Sequence, residues 1–168
     1  MVRYKRIYYL DAVYHVISRG NNRQKILQYQ EDKESLMESI SRYKDRYMFK
    51  LYAFVFMDNH FHMILNAGAV HDISRIMQGI LLSYSNKFRH RYGYVGHVWQ
   101  GRFISRVIQS EQQIINNIQY IHNNPIRAGM VQSNVEYAWS SACYYHGVNN
   151  SKIEGKIAID IFGGTLLT

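Results

Sequence analysis

The chain has one cysteine, Cys143, and one proline, Pro125, in 168 residues. A lone cysteine excludes an internal disulfide framework and any metal site built from cysteines alone. A lone proline, with no glycine-rich tract or repeat, leaves no linker at which to divide the chain. It is therefore read as one unit over 1–168, with a core of about 11–146 and a tail of 147–168. No apolar run approaches the roughly 18–20 residues that cross a bilayer. The N-terminal stretch also lacks the apolar core and small-residue site of a secretory leader. These absences make a cytoplasmic location with no membrane contact the expectation.

A local absence says more. Between Ile73 and Ser110 there is no acidic residue, yet the stretch holds Arg75, Lys87, Arg89, Arg91, Arg102 and Arg106. Tyr84, Phe88, Tyr92, Tyr94, Trp99 and Phe103 alternate with them. Cations attract phosphates and aromatic faces stack on unpaired bases, so with a net charge of +8 the composition points to nucleic acid. The same pattern also describes a solvated basic face with core aromatics between.

Periodicity gives the framework. Residues 12–19 (AVYHVISR) alternate as a strand, and GNNR at 20–23 marks a turn. Residues 31–49 form a helix with Leu36, Ile40, Tyr43 and Tyr47 on one stripe, acids early and bases late. Residues 50–57 and 60–66 read as a hairpin across Asp58 and Asn59. A second helix over 71–93 has Asp72 as its N-cap and Gly93 as its C-terminal cap. A strand at 102–109 follows, then a helix at 110–124 opened by a Ser110/Gln113 capping box and closed by Pro125. The order βαββαβ plus a helix predicts an α+β, ferredoxin-like (split βαβ) antiparallel sheet, with helices on one face and a C-terminal helix left for the other.

The candidate chemistry sits in FVFMDNHFHMIL (54–65). Strand residues i and i+2 share a face, so His60 and His62 project together while Phe61 and Met63 point into the core. Two neutral imidazoles begin a divalent-metal site but need a third ligand; two sheet-surface histidines held by hydrogen bonds have the same spacing. On the last helix Ile114, Ile115, Ile118 and Ile121 form the apolar stripe. Gln113, Asn117, Tyr120 and Asn124 gather on its flank. A core tyrosine belongs with the isoleucines, whereas Tyr120 stands among amides.

Taken in order, FVFMDNHFHMIL, GHVWQGRF (96–103), YIHNNPIRAGMV (120–131) and YAWSS (137–141), with YHVISRGNNR (14–23) before them, resemble the HUH single-tyrosine transposases. The likeness is greatest to their REP-associated branch and runs from about residue 11 to 146. The resemblance implies a metal-dependent endonuclease and strand transferase acting on single-stranded, hairpin-forming DNA through a 5′-phosphotyrosine. It assigns the nucleophile to Tyr120 and Mg²⁺ or Mn²⁺ to His60 and His62, with Asn124 as an amide-type third ligand. It allows a monomer or a homodimer. His15 then supports the metal ligands from behind, contacts DNA or competes with Asn124, and Asn117, on the flank with Tyr120, is a further candidate for support behind the ligands. Arg19, Arg102, Arg106 and Lys87 are candidate phosphate contacts. Trp99 either stacks on a base or anchors its loop. Two other readings remain open: a sheet that binds single strands without cutting, and a hydrolase using metal-bound water with Tyr120 structural.

Overall fold

A computed structural model describes Tyr9 and residues 11–68 and 72–164; His71, expected in the second helix, lies outside them. The elements are β1 (Val13–Arg19), α1 (Gln30–Tyr47), β2 (Lys50–Phe56), β3 (His60–Asn66), α2 (Ile73–Tyr92), β4 (Ile104–Ile108), α3 (Glu111–His122), α4 (Asn124–Arg127) and α5 (Ala142–Tyr145). The four strands lie in the order β2-β3-β1-β4, all neighbours antiparallel. This is the ferredoxin-like α+β arrangement that the element order predicts.

The two faces follow from the register. On one face Tyr14 and Val16 of β1, Phe61, Met63 and Leu65 of β3, and Phe54 and Phe56 of β2 are all buried. They lie under α1 and α2, which contribute Leu36, Ile40, Ile76, Ile80 and Tyr84. The other face carries His15, Arg19, His60, His62 and Arg106, with Arg19 opposite His60 and Arg106 opposite His15. The last long helix, α3, covers part of that face through Ile114, Ile118 and Ile121; Ile115, expected on the same stripe, is only half-buried.

Several caps match the sequence. The Asp72 carboxylate accepts from the Ser74 amide, and Gly93 ends α2 in the left-handed region at φ 60°. The Ser110 hydroxyl accepts from the Gln113 amide, but Gln113 reaches back to the Gln109 amide rather than closing the box on Ser110. Pro125 does not stop the helical chain. The break falls at Asn123, and Pro125 then sits in the first turn of α4, where its missing N–H is no loss. The strand expected from residue 102 begins at Ile104, because the preceding loop is drawn to β1 by the Gln100 amide bonding to the Arg19 carbonyl.

The outer edge of β2 is closed by the later chain. Phe56 donates to Trp139, Ser141 donates to Phe54, and the Tyr137 and Tyr145 hydroxyls donate to the Phe56 and Tyr52 carbonyls. The tail also contributes: Asp160 pairs with Leu51 through backbone and side chain, and Ile153 and Ile157 are buried. An edge that would template aggregation is thereby satisfied.

Where α1 crosses α2, a Cβ on Gly79 would fall 2.2 Å from Cε1 of Tyr43. Gly79 is there for space. Gly79→Ala is expected to cost about 1–3 kcal/mol by overpacking, read as a lowered midpoint in thermal or urea denaturation. An unchanged midpoint would mean that the two helices do not approach this closely.

Candidate active site

The histidines predicted on β3 share a face, their rings 5.1 Å apart and edge to face. Nδ1 of His62 lies 2.9 Å from Nε2 of His15, and Nδ1 of His60 lies 2.6 Å from Oδ1 of Asn59. His15 is in turn hydrogen-bonded to Asn117, whose own amide nitrogen donates to the Gln113 carbonyl. Asn59 Oδ1 accepts, so Nδ1–H of His60 donates and its Nε2 lone pair is directed elsewhere; when Nδ1–H of His62 donates to Nε2 of His15, the Nε2 lone pair of His62 is free in the same way. The rings are also kept neutral. Burial and then the Arg19 charge lower the His60 pKa to about 4. Burial, followed by the neighbouring His60, His15 and Arg19, takes that of His62 to about 3. Burial and Arg106 lower that of His15.

Tyr120 projects from α3 over this group. Its ring centroid is 6.3 Å from that of His15 and 6.4 Å from that of His62, edge-on to both. It is 45 % exposed, unlike the buried Ile114, Ile118 and Ile121 of the apolar stripe. The orientation of α3 is set on its buried side by His122. That side chain is 2 % exposed and bonds through Nε2 to the Ser141 hydroxyl at 2.8 Å. Ser141 is itself tied to the Phe54 amide and carbonyl of β2. The second serine of YAWSS thus anchors the helix that carries Tyr120.

Burial, then the charge of His146, holds the His122 pKa near 3 against an ordinary 6.5. Its folded pKa is depressed, so the unfolded chain takes up a proton below pH 6.5 that the native state refuses. Stability should therefore fall as pH drops from about 6.5 toward 3, by about 1.4 kcal/mol per pH unit for each such group, and be insensitive to it above. Denaturation midpoints measured from pH 8 to pH 4 should show this slope, and His122→Gln should remove one proton's share of it. An identical slope in the variant would place the acid sensitivity elsewhere.

The other expected residues are distributed unevenly. Arg19 and Arg106 flank the histidines on the same face. Asn117 joins the group through His15. Asn124 opens α4 beyond the Asn123 break, and among the described residues its side chain is not hydrogen-bonded to either histidine of the pair. Lys87 lies apart, on α2 in the helical layer under the sheet, ion-paired with Glu38 of α1 at 2.8 Å. Arg102 precedes β4 and lines a groove against α2. Trp99 is 8 % exposed, packed on Phe61 and Tyr84, with its indole N–H donating to the Leu81 carbonyl, so it anchors its loop.

One residue escaped the sequence reading. The Arg127 guanidinium lies 4.6 Å from the centre of the Tyr120 ring. It is seven residues on from Tyr120, two helical turns, and that spacing was its only signal.

Among the described residues no group of three or more His, Cys, Asp or Glu side chains forms a metal set. The donors present suit an open site: two neutral imidazole nitrogens, with amide, phenol or substrate oxygens to complete the shell. That set suits Mg²⁺ or Mn²⁺ bound alongside a phosphate better than closed structural zinc.

Comparisons with known proteins bear on the family and the fold. The family profile described as "Transposase IS200 like" matches residues 8–124. A candidate REP-associated tyrosine transposase of Haemophilus influenzae is 25 % identical over 108 residues, covering 58 % of this chain and 61 % of the relative. The chain thus matches less than two thirds of that relative's length. Among solved structures, a REP-associated tyrosine transposase bound to a REP hairpin superposes with a TM-score of 0.71 at 22 % identity, over 98 % of this chain and 97 % of that one. A candidate transposase from Deinococcus radiodurans gives 0.51 at 18 % identity, over 73 % and 97 %. At these identities the structural likeness is one of fold.

Proposed function

The chain belongs to the IS200-like transposase family, and from that premise we propose that it cuts and rejoins single-stranded DNA through a 5′-phosphotyrosine on Tyr120. The observation that carries this reading is the exposed Tyr120 ring standing over the His15–His62 pair on the open face of the sheet. Its substrate is a strand that folds into a hairpin, as the DNA in the solved relative does.

The phenol attacks the scissile phosphorus. The Oη–P bond forms as the P–O3′ bond breaks, and the 3′ oxygen leaves as a hydroxyl with the proton that the phenol gives up. His60 and His62 through Nε2, with Asn124 as a third ligand, would hold Mg²⁺ or Mn²⁺, which when bound would supply positive charge beside the phosphate oxygens. Asn59 and His15 hold the two imidazoles in the tautomer that directs Nε2 to the site, and Asn117 holds His15. Arg127, resting on the tyrosine ring, is placed to neutralise the phosphate once it is esterified there. Arg19 and Arg106 guide the strand across the face. Because the phosphotyrosine keeps the energy of the phosphodiester, another 3′-OH can attack it and restore a DNA strand without ATP.

A single chain supplies both the tyrosine and the histidines, so the reading is a site assembled in cis that a monomer can operate. The setting is the cytoplasm; among the described residues no helix is long and apolar enough to cross a membrane. The test is incubation with 5′- and 3′-labelled hairpin oligonucleotides and Mn²⁺ or Mg²⁺. A covalent adduct that survives denaturation, together with a free 3′-OH fragment, is the expected result. Binding without cleavage would leave a single-strand-binding module on the same fold. Cleavage without an adduct would leave a hydrolase.

A further inference from the structure

We infer that the ion pair between Lys33 of α1 and Asp58 of the β2–β3 turn is a positioning device for His60: it steadies the turn from which Asn59 sets that ring's tautomer. Lys33 acts through its neighbours and is a positioning residue. The inference rests on the strand-cutting reading for its consequence, the grip of His60 on Mg²⁺ or Mn²⁺.

Lysine is rarely buried, because its ammonium group then loses the water that solvates it. Lys33 is buried, its side chain 6 % exposed against 32 % for that of Asp58. It also lies near the N-terminal end of α1, where the helix dipole disfavours a cation. Burial lowers its pKa, and the charges of Asp58 and Asp32 oppose that loss. Exchanging a buried pair for apolar residues often leaves a fold as stable or makes it more so. Stability is therefore a weak account of Lys33. What its ammonium group holds in place is a stronger one.

That group joins three segments. From α1 it donates to the Gln28 carbonyl, ahead of the helix, and to Oδ1 of Asp58 in the turn, both at 3.3 Å. The carboxylate just before it in sequence, Asp32, is engaged on the other side of the helix pair by Arg91 and Tyr92 of α2. Lys33 is thus committed to the turn.

The turn is held on its main chain as well. The Leu27 amide donates to the Asp58 carbonyl and the Gly20 amide to the Asn59 carbonyl, each at 2.8 Å. The Met57 amide donates to the His60 carbonyl. These bonds fix where the turn lies, but the peptide between Asp58 and Asn59 can still tilt about them. A tilt re-aims the Asn59 side chain, whose Oδ1 lies 2.6 Å from Nδ1 of His60. The Asp58 side chain, tied to Lys33, opposes it. Without that tie the carboxylate turns to water. Because the main-chain bonds persist, the expected effect is a weakened tautomer preference, at the low end of the roughly 10–100-fold typical for groups behind metal ligands.

The test uses the full chain with Lys33→Met, which keeps the length of the side chain and removes its charge, and with Lys33→Met/Asp58→Ala, which leaves neither partner charged. The His60 ring is read first, in metal-free protein at neutral pH, by long-range ¹H–¹⁵N spectra that distinguish the Nδ1–H from the Nε2–H form. The ring is neutral there, its pKa lowered to about 4 by burial and then by the Arg19 charge. Wild type should show the Nδ1–H form, and both variants a mixture of the two. Mn²⁺ affinity, read from the paramagnetic resonance signal of the free ion, should weaken about tenfold. The loss should be equal in the two variants, because Asp58 acts through Lys33. The denaturation midpoint of the double variant should change little. A merely structural pair gives the reverse, a lowered midpoint with the His60 tautomer and Mn²⁺ affinity as in wild type, and that result would overturn the inference. So would a wild-type His60 in the Nε2–H form, or two variants that do not fold. Failure of the strand-cutting reading is separable: wild type would then form no adduct, while the His60 tautomer would still respond to Lys33.

Discussion

Tyr120→Phe is expected to abolish the covalent protein–DNA adduct, a loss of more than about a thousandfold in cleavage, as for other nucleophile deletions. Affinity for the uncut strand should change by less than about twofold. The substitution removes one oxygen and keeps the ring, so its edge-on contacts with His15 and His62 and the Arg127 guanidinium over its face all persist. Because the ring is 45 % exposed, its loss of a hydroxyl should not alter the melting temperature measurably. The measurement is a denaturing gel of labelled hairpin DNA beside a binding isotherm. Cleavage that survives at near wild-type rate would assign the chemistry to a bound water, with Tyr120 structural.

His60→Ala and His62→Ala should each reduce adduct formation by at least about a hundredfold while the strand still binds. Each variant deletes one of the two imidazoles that the proposed mechanism assigns to the metal. The effect at His62 should be the larger. His62 also holds His15, so its removal leaves the His15 ring without its 2.9 Å partner and loosens the link to Asn117 on α3. His15→Ala, acting behind the pair, should cost about 10–100-fold in metal affinity and be partly recovered at higher Mn²⁺. The readout is the Mn²⁺ concentration for half-maximal adduct formation. Activity in all three variants equal to wild type, with an unchanged Mn²⁺ requirement, would contradict a metal role for this face of the sheet.

Local pattern carried most of the framework. Alternation on β1 and β3 is enough to separate His60 and His62 from Phe61 and Met63, and the element order is enough for the strand order β2-β3-β1-β4. The helical wheel placed Tyr120 off the isoleucine stripe for the right reason: it faces a polar group on the sheet. What escaped depends on contacts between distant segments. Nothing within Ser141 shows that it will hold His122 and close the β2 edge, since both partners are supplied by other elements. Arg127 comes over Tyr120 because the chain stays helical through Asn123 into α4, past the point where Pro125 was expected to close the helix. Charge counts misled in one respect. Lys87 and Arg91 belong to a basic stretch in sequence but are neutralised across space by α1. The groove beside Trp99 exists only once α2 and the loop before β4 are brought together.

The most direct measurement takes the adduct formed by wild-type protein, digests the DNA to a short remnant and cleaves the protein with trypsin. Residues 107–127 form one tryptic peptide, in which Tyr120 is the only tyrosine. The account predicts that fragmentation places the nucleotide on Tyr120, through its 5′ phosphate. A nucleotide carried on any other residue, or attached to Tyr120 through a 3′ phosphate, would contradict it.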